Sequence, residues 1–257
     1  MNKKLVLAII TVLALSSCRT DMKLAKAFVA EHTGIQAAVY FPEQADVKVE
    51  YNTQYERKTE ALDGFSQDLF LDVMYDAYAD AMKAYGVNVY VPSNANNVQV
   101  DSVHWLVMLS RMEISGRITE YEDYFFSDND EYCYKTPLNT VNVASWFEVS
   151  DGEWKPVLFC EHNLMDGFES KASYSFWTSQ IEYNYTVDTL KLKDVYNYAV
   201  YLGKLYAGYT YDYMMNDYVD TEMAKKNNDW NRFPLRYDPY KRQVIYAEEG
   251  DWFIEIK

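Results

Sequence analysis

Residues 103–118 run Val-His-Trp-Leu-Val-Met-Leu-Ser-Arg-Met-Glu-Ile-Ser-Gly-Arg-Ile. The stretch is long and apolar enough for a central strand, is entered from Asp101-Ser102, and continues into Tyr121 to Phe126. Two more strand-like runs follow, Val141 to Val149 and Trp154 to Cys160. The polar turns Ser127-Asp128-Asn129-Asp130 and Ser150-Asp151-Gly152-Glu153 separate the three, which makes them a meander.

Upstream, Gln36 to Phe41 and Val47 to Tyr55 read as strands, the second with Val47, Val49 and Tyr51 in alternation. Ser66 is a good N-cap and Gly86 a good C′ residue, so a helix of about five turns is predicted between them. Its apolar positions are Leu69, Phe70, Val73, Ala77, Ala81 and Ala84. Val87 to Val91 is a short strand stopped by Pro92. Downstream, Asn163 to Gly167 reads as loop and Tyr174 to Tyr185 as a further strand. A long helix covers Leu190 to Val219, residues 227–240 are loop-like, and Trp252 to Ile256 returns to the sheet. Strands cluster instead of alternating with helices. The expected class is therefore α+β, a mainly antiparallel sheet with a long-stranded meander packed by two principal helices.

Composition bounds the function. The formal net charge is −15. Such a field repels nucleic acid and anionic lipid and favours basic proteins, cations or neutral ligands. Tyrosine stands out, with 25 residues against 12 Phe and 6 Trp. Its apolar ring and polar tip suit half-buried sheet faces, and also glycan recognition.

The N-terminus is the most specific motif. Lys3-Lys4, the apolar run Leu5 to Leu15, and Leu15-Ser16-Ser17-Cys18 have the order of an export signal. The apolar run is too short to span a bilayer. Ending on Cys, it resembles the lipobox of bacterial lipoproteins. That resemblance implies cleavage before Cys18, a diacylglycerol on its thiol and a mature charge of −17, because residues 1–17 carry two lysines and no acid. It also implies an outer-membrane address, since Arg19 stands where an inner-membrane retention signal has Asp. The expected organisation is a signal peptide over 1–17, a lipid-anchored tether over 18–34 with weak helical character from Met22 to Phe28, and one domain over 35–257. In outline that domain is similar to the small α+β lipoproteins that assist outer-membrane transport and assembly.

Asp68, Asp72, Asp76 and Asp80 recur every four residues on the first long helix. As neighbours they repel by about 0.2–0.5 kcal/mol per pair. A solvated face is the simpler reading, and a docking edge for a basic partner is the functional one. The second long helix carries a seam of Leu192, Val195, Ala199, Leu202, Tyr206, Tyr209 and Tyr213. Tyr196, Tyr198, Tyr201 and Tyr211 lie off that seam, so this helix is predicted to expose tyrosines for partner binding. Gly203 and Gly208 each cost about 1 kcal/mol in a helix interior, and imply a close backbone approach or a break near 208.

Cys133 and Cys160 form an even pair in an oxidising compartment, but register opposes a bridge. A turn at 150–153 sets Cys160 opposite residue 143, far from Cys133. Cys160 and His162 lie two apart on one strand, which makes a thiol–imidazole dyad geometrically conceivable, with no third group in view. His32, His104 and His162 belong to no metal motif. Asp128-Asn129-Asp130 starts like a calcium loop and reads better as a hairpin tip. Neither a cofactor nor a metal is expected. The favoured function is a non-catalytic, lipid-anchored envelope protein that binds another protein. A glycan-binding lipoprotein and a hydrolase with dispersed carboxylates are the alternatives.

Overall fold

The computed structural model describes residues 20–90, 105–127, 130–151, 157–177, 180–226, 232–248 and 252–256. In chain order its elements are α1 (residues 20–31), β1 (Gln36–Tyr40), β2 (Asp46–Val49), β3 (Tyr51–Asn52), β4 (Arg57–Lys58), α2 (Gln67–Ala84) and β5 (Asn88–Tyr90). Then come β6 (Trp105–Ser127), β7 (Asp130–Ser150), β8 (Val157–Met165), β9 (Gly167–Ser175) and β10 (Gln180–Asp188). The chain closes with α3 (Leu192–Ala224), β11 (Leu235–Asp238), β12 (Gln243–Tyr246) and β13 (Ile254–Ile256). Cys18 and the segments 101–103, 128–129 and 152–156, on which expectations also fell, lie outside the described residues.

The class is α+β. The principal sheet runs β13-β8-β7-β6-β1-β5, with β2 also on β6. The β6-β7-β8-β13 portion is antiparallel, as the meander requires. Its long antiparallel ladders predominate as expected, but the pairings β1–β5, β1–β6 and β2–β6 are parallel, so the sheet is mixed. The reason is connectivity: α2 carries the chain from β1 back to β5 as a crossover, which places β5 parallel to β1.

One extra residue organises β6. Trp105, Val107 and Leu109 are buried, and beyond them the buried set is Met112, Ile114, Gly116 and Ile118. Odd positions give way to even because the register with β7 slips between Leu109 and Arg111. Ser110 is the bulged residue, and its hydroxyl donates to the Trp146 carbonyl at 3.2 Å. Without the bulge Met112, Ile114 and Ile118 would point away from the core.

The predicted caps of α2 hold. Ser66 accepts from the Leu69 amide at 3.4 Å, and Gly86 takes φ +76° just after the helix. The buried stripe, however, is Phe70, Leu71, Met74, Tyr78 and Met82, while Leu69 and Ala84 are exposed. Large Tyr and Met side chains bury more area than the alanines of the expected face, so packing turns the helix that way. The 33 residues of α3 run without a break at Gly208. The helix crosses α2 at Gly203, where a Cβ would lie 2.2 Å from the Met74 carbonyl oxygen.

The segment read as a tether is helical over residues 20–31, with Ala25 and Phe28 fully buried. Phe28 packs edge-on against Tyr211 at 5.7 Å, and buried Asp21 takes a hydrogen bond from Tyr246. The α1 helix therefore belongs to the folded body. The loop expected over 227–240 contains β11, which pairs with β12. Asp212 and Asn216 of α3 clamp it, accepting the Tyr237 and Leu235 amides at 2.8 and 2.9 Å.

Beyond Thr140, β7 has lost β8 as a neighbour and pairs with β6 alone. The β9–β10 hairpin covers this two-stranded extension as a separate sheet. Aromatic rings join the layers: Phe125 meets Tyr183 at 3.9 Å, and Tyr134 stacks on Tyr185 at 3.7 Å with 4° between planes. The product is a paired-hairpin arm, built where the sequence suggested one more strand.

Candidate functional site

The aspartate ridge borders a groove. Asp68, Asp72, Asp76 and Asp80 are all exposed on α2. Among the described residues only Asp80 has an ion pair, with Lys83 at 2.7 Å. Asp68 gains from its place in the first helical turn; Asp72 and Asp76 carry the repulsion without such relief.

Asp68 and Asp72, with Glu43, rim a groove of about 390 Å³ whose walls are Val39, Tyr40, Phe41, Pro42, Leu71 and Tyr75. It opens where β1 ends and α2 begins. Phe41 and Tyr75 meet edge to face at 5.2 Å and 87°, which fixes the floor. The Tyr40 hydroxyl is buried without a partner among the described residues, and burial raises its pKa. Burial also raises that of Tyr75, with the Asp76 charge adding to it. An aromatic floor with an acidic rim suits an apolar anchor side chain flanked by basic residues.

The tyrosines proposed for recognition on α3 are placed differently. Tyr198 and Tyr211 are buried, the latter 1% exposed among Phe28, Tyr85 and Tyr237, and both are withdrawn as partner-binding residues. The helix is covered by α1, α2, the sheet and β11, so tyrosines on several sides find a core. Of the four off-seam tyrosines only Tyr201 is exposed, stacked on Tyr198 at 5.8 Å, while Tyr196 is half-buried and its hydroxyl accepts the Ser66 amide.

Cys133 and Cys160 are both free thiols, the first exposed and the second buried. Cys160 pairs with Ser145, twelve residues along β7 from Cys133, or about 40 Å at strand rise. Burial pushes the Cys160 thiol up to about 12, and it lies against the Tyr206 hydroxyl, which also meets Ser145 Oγ at 2.9 Å. A thiol held protonated is no nucleophile; these groups form a polar knot in the core.

His162 shares that face, its ring centroid 6.1 Å from those of Tyr206 and Tyr209. Burial lowers its pKa against the opposing pull of Glu161, and Nε2 is buried without a partner among the described residues. The unfolded chain therefore takes up this proton more readily than the folded one. Stability should fall as pH drops below about 6.5, the ordinary imidazole value, and the loss should stop below the depressed folded value. Urea midpoints at about pH 7.5 and pH 5 should converge for His162→Phe relative to the parent. Equal slopes in the two proteins would remove His162 from the account.

A wider cleft of about 490 Å³ lies where α1, the start of β6 and the end of α3 meet, and Glu31, Asp151, Asp217 and Glu222 line it. Lys225 donates to Glu222 at 2.6 Å and holds that carboxyl below its usual range. A glycosidase acid needs the opposite shift. Among the described residues no group of three or more His, Cys, Asp or Glu could hold a metal ion.

Two aromatic residues that the sequence reading passed over stand out. Phe176 and Trp177, at the β9–β10 turn, are 87% and 99% exposed. The signal was present as adjacent large apolar residues inside a serine-rich segment. No family model matches the chain, and no curated protein shows detectable similarity to it.

Proposed function

We propose that this is a non-catalytic, lipid-anchored accessory of the cell envelope that binds another protein through the acid-rimmed groove between β1 and α2. One observation carries the reading: Asp68 and Asp72 line a groove floored by Phe41 and Tyr75. A solvated ridge alone needs no apolar recess beside it. The partner this favours presents an apolar side chain in a basic surround, in keeping with the acidic charge of the chain. The lipobox-like Leu15-Ser16-Ser17-Cys18 supports anchoring through Cys18, and Arg19 supports the outer membrane.

A photo-crosslinking residue at exposed Glu43, on the groove's rim, tests the groove in intact envelopes. A discrete adduct is expected that weakens with added salt and disappears when Asp68 and Asp72 are both changed to Asn. The Asn pair relieves the repulsion but forfeits the gain of Asp68 at the helix N-terminus, so stability should stay within about 1 kcal/mol of the parent. An undiminished adduct in the double variant would overturn the docking reading. In the same cells, Cys18→Ala should abolish labelling by a palmitate analogue; persistent label would overturn the anchor.

A further inference from the structure

The β9–β10 hairpin ends in ten residues without a charge, Ala172 to Ile181, in a chain that is 25% charged. The uncharged run Thr136 to Phe147 lies in β7, where every residue is buried or half-buried. At the hairpin tip the opposite holds: Tyr174, Phe176, Trp177 and Ile181 are all exposed. Tyr174 and Ile181 are cross-strand partners on one face, and Phe176 packs edge-on against Tyr174 at 5.2 Å. The apolar side chains thus share one end of the arm.

We infer that this tip is a bilayer-insertion element. Phe176 and Trp177 enter the interfacial region of a phospholipid bilayer, with Tyr174 and Ile181 at headgroup level. Three observations select a bilayer. The tip projects: with Phe176 and Trp177 almost wholly exposed, neither ring is walled in by the described residues, so a sugar or peptide would meet little opposing surface there. The side chains are Trp, Tyr, Phe and Ile among serines, a mixture that interfaces accept and that needs no matching charge. The tip is also braced, because the Phe125–Tyr183 and Tyr134–Tyr185 contacts lie directly behind it. The strongly negative chain is repelled by anionic lipid, so insertion rests on apolar burial and is insensitive to salt.

The tip lies toward the far end of β6 from the place where α1 meets the sheet. Trp105 lines a cleft with Phe28 and His32, whereas Phe125, twenty residues on, touches the tip hairpin. That is a strand contour of about 65 Å. The inference rests on the tip alone and stands whether or not Cys18 is acylated.

The test uses the chain from residue 18 onward with Cys18→Ser, so that no acyl chain contributes, and vesicles of phosphatidylcholine alone. The parent should co-sediment with the vesicles, shift its tryptophan emission to the blue, and be quenched by brominated acyl chains. Changing Phe176 and Trp177 together to Ser should reduce partitioning by about tenfold or more. The urea midpoint should not move, because both residues are solvent-exposed. Raising salt from about 50 mM to about 500 mM should leave binding unchanged. A parent that ignores these vesicles, a double variant that binds equally, or binding that requires anionic lipid and disappears with salt would each overturn the proposal. So would capture of a protein by the tip without vesicle binding.

Discussion

Gly203→Ala is expected to lower stability by about 2–4 kcal/mol, although alanine is the better helix former by about 1 kcal/mol. The added methyl would sit 2.2 Å from the Met74 carbonyl oxygen, 2.9 Å from the Tyr78 nitrogen and 3.0 Å from Ala77 Cβ. Two of these are backbone atoms of α2 and cannot rotate aside. The helices must separate, and the layer of Met74, Tyr78, Leu202 and Tyr206 on either side of the crossing loses contact. Gly208→Ala is the internal comparison. There the methyl meets only the Tyr85 hydroxyl, at 3.0 Å, the far end of a movable side chain. Its propensity gain should offset that strain and leave stability within about 1 kcal/mol of the parent. Urea denaturation of the two variants decides the matter. Equal midpoints would mean that the α2–α3 crossing yields easily.

Asp166→Ala should be nearly as damaging, by about 3 kcal/mol, and it should loosen the arm in particular. Asp166 is buried at the single-residue break between β8 and β9. Its carboxylate accepts the Asn139 amide and side-chain N–H at 2.8 Å each, and the Leu190 amide at 2.7 Å. Its own amide donates to the Asn139 carbonyl at 2.9 Å. One side chain thereby ties β7, the root of β9 and the junction of β10 with α3. Removing it strands three donors, the buried Leu190 amide and two on half-buried Asn139. Asp166→Asn keeps the shape but turns a donor toward one of those N–H groups, so it should recover only part of the loss. Hydrogen exchange should show β9 and β10 opening in the Ala variant while α3 stays protected. Uniform loss across both would mean that Asp166 supports the whole core and not the arm.

What was legible in the sequence was local. Ser66 and Gly86 bracket α2 because a cap acts within one turn of itself. The three-strand meander was readable because its turns are short and polar. The parallel partners of β6 were not, since β1 and β2 reach it across a crossover that no periodicity reports. The bulge at Ser110 hides inside one apolar run, where only a change of phase marks it. The segment after Cys18 was misread because a lipobox suggests a linker, whereas Phe28 needed a partner as distant as Tyr211. The aspartate ridge follows from spacing alone. The groove beside it depends on Phe41 meeting Tyr75, and the demotion of Tyr198 and Tyr211 depends on what covers α3; both are tertiary facts.

The enclosure of α3 also sets an order of assembly. Its tyrosines touch Phe28 and Tyr85 from one end of the chain and Tyr237 and Phe253 from the other. The sheet is closed in the same way, by β13 on β8 and by β1 on β6. An emerging chain that stops before residue 235 therefore leaves a tyrosine-lined flank of α3 bare, and no N-terminal fragment can complete its own core. Contacts of such long sequence separation cannot form until both partners have been made, and they fold more slowly than local ones. The polypeptide stays threadable until residues 235–256 appear, and then closes around one helix.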